Sequence, residues 1–141
     1  MIQRLQSIWL LLAAIAAFVT YTLTLYKGNL QDGSVRQFLL ADNFFLVVMI
    51  VAIGLLAAVS IFLFKNRKLQ FRLAVLGVIL SVAYIVLEYF KVEQFKTANA
   101  VLSGSYQLGA LLPFLIPIFF FLAARGIYRD EKLVKSMSRL R

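Results

Sequence analysis

The sequence predicts an all-α integral membrane protein. It should be a four-helix bundle with both termini on the cytoplasmic side (N-in/C-in), followed by a C-terminal basic amphipathic helix. Three observations predict this. Four apolar stretches, 8–25, 44–64, 73–89 and 108–124, each approach the ~20 apolar residues with which an α-helix crosses ~30 Å of hydrocarbon. Hydrophobic residues make up 62% of the 141, with a mean hydropathy of +0.89, against about 45–50% apolar residues in a soluble domain. The charge, net +9, sits almost entirely between and after those stretches.

The first stretch follows Arg4 and contains Ala13, Ala14, Ala16 and Ala17, small residues of the kind found at signal-peptide cleavage sites. The apolar run continues past them through Phe18, Val19, Leu23 and Leu25, so an uncleaved first span is expected. In the first loop Gly28, Asn29, Asp32 and Gly33 read as turns. Asp42, just before the second stretch, is expected to cap it. The second loop, 65–72, is short enough to force an antiparallel helical hairpin, with Asn66 as a left-handed C-cap. Residues 89–100 are rich in helix formers, so the third helix should project beyond the bilayer until Ser103, Gly104 and Ser105 break it. In the fourth stretch Pro113 and Pro117 share a face and predict a kink near mid-membrane. The pairs Ala13/Ala17, Gly54/Ala58 and Gly77/Ser81 are each four apart, which lets helices approach closely.

Orientation follows from Lys and Arg alone. Arg4, the second loop (Lys65, Arg67, Lys68, Arg72) and the tail (Arg125, Arg129, Lys132, Lys135, Arg139, Arg141) supply eleven. The first and third loops supply four: Lys27, Arg36, Lys91 and Lys96. The bias places both termini in the cytoplasm and agrees with an even number of spans. Trp9, Phe64 and Tyr128 are expected in an inner aromatic belt, and Tyr21, Tyr26, Phe44, Tyr89 and Tyr106 in an outer one.

The chain has no cysteine and no histidine, which excludes thiolate nucleophiles, Cys/His zinc sites and histidine-ligated haem. No catalytic, cofactor or metal constellation is visible, and no enzymatic activity or cofactor is expected. Glu88 is the most embedded acidic residue. Its position beside Tyr89 suggests a carboxylate at the outer interface, reaching headgroups or pairing with Lys91. The tail divides at 100° per residue. Ile127, Leu133, Val134, Met137 and Leu140 fall on one side, and Arg125, Arg129, Lys132, Lys135 and Arg139 mostly opposite. Such a helix can lie on an anionic leaflet. It lacks the aromatic platform of a sequence-specific nucleic-acid reader.

Residues 1–6 (MIQRLQ), 65–70 (KNRKLQ) and 127–136 (IYRDEKLVKS), with Arg139, Leu140 and Arg141 at the end, resemble the domain of unknown function 4293 family. The resemblance spans the chain and implies a small four-helix membrane protein of bacteria, hence a multi-pass protein of the inner (cytoplasmic) membrane. It implies no activity, ligand or catalytic residue.

The expected organisation is a transmembrane bundle over 1–124 and a cytoplasmic tail over 125–141. The expected role is a non-catalytic accessory or assembly subunit that docks to lipid, including anionic headgroups, and to a membrane or cytosolic partner. The candidate docking residues are Lys65, Arg67, Lys68, Arg72, Arg129, Lys132, Lys135 and Arg139. The alternative is a small oligomeric transporter or channel with Glu88, Pro113 and Pro117 along its path.

Overall fold

The computed structural model describes the backbone of residues 2–138, with side chains for residues 5–137; Arg139 lies outside the described residues. Four rods dominate it. The first three are α1 (Ile2–Thr22), α2 (Phe44–Phe62) and α3 (Arg67–Ala98). The fourth is a broken rod: a short α4 (Leu108–Leu111), a 3-10 turn (Leu112–Phe114) and α5 (Leu115–Ser138). All four rods are long and apolar enough to cross a bilayer.

Each rod packs mainly against two neighbours: α1 against α2 and α5, and α3 against α2 and α5. Small residues set the closest approaches. Ala13 and Ala17 are fully buried, and Gly54 on α2 faces Ala17 and Phe18, where an added Cβ would meet side-chain carbons at 3.4–3.5 Å, an ordinary contact. Gly77 on α3 lies flat against the buried Phe120 ring of α5, and a Cβ there would overlap the ring. Three buried hydroxyls are satisfied by their own helices: Thr20 Oγ1 donates to the Ala16 carbonyl (2.7 Å), Ser60 Oγ to Leu56 (2.7 Å) and Ser81 Oγ to Val78 (2.9 Å).

The fold is mostly helical but not all-α. A three-stranded antiparallel sheet, in the order β2-β1-β3, is built from β1 (Thr24–Asn29), β2 (Val35–Leu39) and β3 (Ser103–Tyr106). The first apolar stretch therefore divides: α1 ends at Thr22, and Leu25 and Tyr26 belong to β1. A bulge between Thr24 and Tyr26 turns both Leu25 and Tyr26 inward, so strand alternation is lost where the helix hands over to the sheet. Gly28 and Asn29, expected as turn residues, pair within β1; the turn falls at Leu30–Ser34. Gly33 there takes φ 79°, and Asp32 accepts from the Ser34 hydroxyl (2.7 Å) and N–H (3.0 Å). Those bonds, the hydroxyl's first, hold the Asp32 carboxyl below its usual range.

The sheet covers the far end of α3, which runs for 32 residues, about 48 Å at 1.5 Å per residue. That exceeds the ~30 Å of hydrocarbon, and the helix expected over residues 89–100 runs as far as Ala98 before a turn at Asn99 and Ala100. Tyr26 packs against Phe95 and Tyr106, and Phe38 against Phe95 at 5.1 Å between ring centroids. Lys96 Nζ sits 5.1 Å from the Tyr26 ring centroid and 5.0 Å from that of Tyr106, and bonds Glu93 at 2.6 Å. Tyr26 is thus a buried core residue and not part of an aromatic belt.

Both expected caps shift. Asn43, not Asp42, caps α2 by accepting from Leu46 N–H, while Asp42 accepts from Leu39 N–H in the preceding turn. Asn66 is the N-cap of α3, accepting from Leu69 N–H, with φ −110° and so no left-handed conformation. The proline kink takes the form of the 3-10 turn around the buried Pro113. Beyond it α5 passes residues 124 and 125 as one unbroken helix.

Gly77→Ala should destabilise the bundle by about 1–3 kcal/mol through overpacking against Phe120. Gly54→Ala should cost far less. Thermal unfolding in detergent compares them, and adding Phe120→Leu to Gly77→Ala should restore most of the loss.

Candidate functional site

At one end of the bundle the α2–α3 connection meets the C-terminal half of α5. The connection is a 3-10 turn (Leu63–Lys65) followed directly by the Asn66 cap. Gln70 locks it: its side-chain amide is buried and donates to the Ser60 carbonyl at 3.0 Å. One residue on, Phe71 packs on Tyr128 of α5 at 6.2 Å between ring centroids. This registers the basic hairpin against the tail. Glu131 is bonded by Lys135 at 2.8 Å, one turn along, and lies within electrostatic reach of Lys68 and Arg67.

Two opposite charges of the tail are absorbed internally. Glu131 is held as described, and Asp130 accepts a hydrogen bond from the Gln6 side-chain amide of α1. Gly126 makes room for Gln6, because a Cβ there would press on Gln6 Cγ at 2.9 Å. The candidate docking residues therefore fall into two groups. Lys132 and Lys135 line a groove of about 360 Å³ with Tyr128 and Glu131, next to the hairpin that carries Lys65, Arg67, Lys68 and Arg72. Arg125 and Arg129 line a second groove, of about 460 Å³, against Gln6 and Trp9 of α1. Past Ile127, which is fully buried, Leu133, Val134 and Met137 are 51–71% exposed, so no part of the described chain covers the apolar face of the tail.

Glu88 is not where its neighbourhood in sequence suggested. It follows Gly77, Ser81 and Tyr84 on the buried face of α3 and is only 5% exposed. It makes no ion pair with Lys91, whose ammonium bonds Gln94 and lies over the Phe45 ring. Glu88 Oε2 and the hydroxyl of the fully buried Tyr84, one turn before it, both lack a hydrogen-bond partner among the described residues. Glu88 also lines a cleft of about 310 Å³ between α3, β3 and the broken fourth rod. The turn at Pro113 supplies Phe114 to its wall and α4 supplies Leu111. Gly109 fixes α4 there, because its bare Cα abuts the Thr24 carbonyl. Ser81 is bonded within its own helix and does not line this cleft, nor does Pro117.

Sequence reasoning missed Gln6, Gln70 and Phe71, whose partners lie on other helices. The acidic pair Asp130–Glu131 within a basic tail was the one available signal that some tail charges are satisfied internally.

The family described as Domain of unknown function (DUF4293) matches residues 2–140. Comparison with the curated proteins and with the solved structures returns no match.

Gln70→Leu should leave the buried Ser60 carbonyl without its side-chain donor and cost about 1–3 kcal/mol. The same change should loosen the hairpin, which amide exchange across residues 63–72 would register as faster opening.

Proposed function

The chain belongs to the DUF4293 family, and we propose that it is a non-catalytic accessory or assembly subunit of the bacterial inner membrane. In this reading the four rods span the bilayer, and the end carrying the α2–α3 turn and the tail faces the cytoplasm. That end docks anionic headgroups and a membrane or cytosolic partner protein. One observation carries the reading: the basic hairpin and the basic tail, some sixty residues apart in sequence, meet on one surface. Beside them the apolar residues Leu133, Val134 and Met137 lie open.

The chemistry suits an interface more than a reaction. Exposed Lys65, Lys68, Arg72, Arg129, Lys132 and Lys135 offer cations. Each cation near an anionic membrane surface contributes about 1 kcal/mol, screened by salt. Apolar side chains next to them supply area that lipid or a partner helix can bury. The alternative of a small oligomeric transporter or channel draws on Glu88 and the break at Pro113. It is less well supported, because a permeation path needs a run of polar groups. Thr20, Ser60 and Ser81 are turned back onto their own helices.

Replacing Arg129, Lys132, Lys135 and Arg139 by Gln should leave insertion intact. It should lower retention of phosphatidylglycerol over phosphatidylcholine at least about tenfold, given ~1 kcal/mol per basic residue. Lipid mass spectrometry after extraction in mild detergent measures this, and co-purification of partner proteins should fall in parallel. Unchanged lipid retention together with unchanged co-purification would remove the docking surface from consideration.

A further inference from the structure

We propose that the cleft beside Glu88 is a binding site for the amine head of a membrane-soluble amphiphile. This is separate from the docking surface, at the other end of the bundle. Three features of the cleft argue for an amine. The first is an acceptor without a donor: Glu88 is 95% buried and lines the cleft, and its enclosed Oε2 has no hydrogen-bond partner among the described residues. A buried carboxylate left in that state is costly, and a charge-assisted N–H···O bond is the strongest available remedy.

The second feature is that the cations nearest in sequence are already engaged. Lys91 bonds Gln94 and lies over Phe45, and Lys96 bonds Glu93 between the Tyr26 and Tyr106 rings. Neither lysine is free to neutralise Glu88, and the unpartnered Tyr84 hydroxyl one turn before it does not bond it either. The third is the lining. Ile85, Leu111 and Phe114 offer an apolar wall, and Tyr89 and Tyr106 add aromatic faces of the kind that attract an ammonium group. A volume of about 310 Å³ falls at the small end of ligand sites. It holds a head and a short length of chain but not a whole diacyl lipid. An anion is excluded by the carboxylate, and a neutral alcohol forfeits the charge assistance.

The proposal is tested with dodecylamine as the probe, titrated onto the full chain in phosphatidylcholine nanodiscs and corrected for partition into empty discs. One saturable site is expected. Glu88→Gln, which keeps the shape and removes the charge, should weaken it at least tenfold. Ile85→Trp, which keeps Glu88 and fills the cleft, should weaken it equally. Dodecanol should bind at least tenfold more weakly than the amine. If phosphatidylethanolamine in the discs competes, the native source of the amine is a lipid headgroup. If it does not, the source is a free alkylamine, and both results uphold the site. Partition equal to that of empty discs would overturn it. So would amine binding that is unchanged in both variants while their melting temperatures stay at the wild-type value.

Discussion

The length of α3 is the constraint on which the rest of the architecture depends. A helix of 32 residues is too long for the ~20-residue span that hydrocarbon can cover, and its partner helices are shorter. Phe95, near the end of α3, packs against Tyr26 and Phe38 of a small sheet collected from the α1–α2 and α3–α4 connections. The sheet in turn holds α4, because Gln107 N–H donates to the Leu25 carbonyl at 2.9 Å and Gly109 seats against Thr24. Together with the turn at Pro113, that anchoring positions α4 and Leu111 at the cleft beside Glu88.

The two ends of the bundle are built by different physics. At the sheet end aromatic rings and one cation, Lys96, make a compact secondary core, and most polar groups are spent on holding the chain together. At the opposite end the internal bonds consume mainly the acidic residues, Asp130 and Glu131, and leave lysines and arginines outward. The surface there presents Lys65, Lys68, Arg72, Arg129 and Lys132 outward. It is also ordered, because Gln70 and the Phe71–Tyr128 contact fix the hairpin against α5.

Glu88 shows how a carboxylate near the end of a span can mislead. Adjacent Tyr89 is 56% exposed and fits an interfacial position, yet the helix turns 100° between the two and takes Glu88 inward. The relevant pattern was Gly77, Ser81, Tyr84, Glu88 and Val92, spaced three or four apart along one face. It was readable in the sequence, but a face of Gly, Ser, Tyr and Glu has no apolar signature to mark it as buried. Leu25 and Tyr26 differ: Thr20, Thr22 and Thr24 alternate with apolar residues before them, a period of two that marks the change from helix to strand.

The sequence by itself determined the four rods, their connectivity, the charge asymmetry of their connections and the extension of α3 past its apolar stretch. Each of these is a local property, set by runs of apolar side chains and the charges that interrupt them. Only the tertiary structure decided that β1 pairs with β3 more than seventy residues away, that Gln6 reaches Asp130, and that Glu88 faces a cleft. These depend on which faces meet, and side-chain composition along a single helix carries little information about its partner when lipid and protein interior are equally apolar.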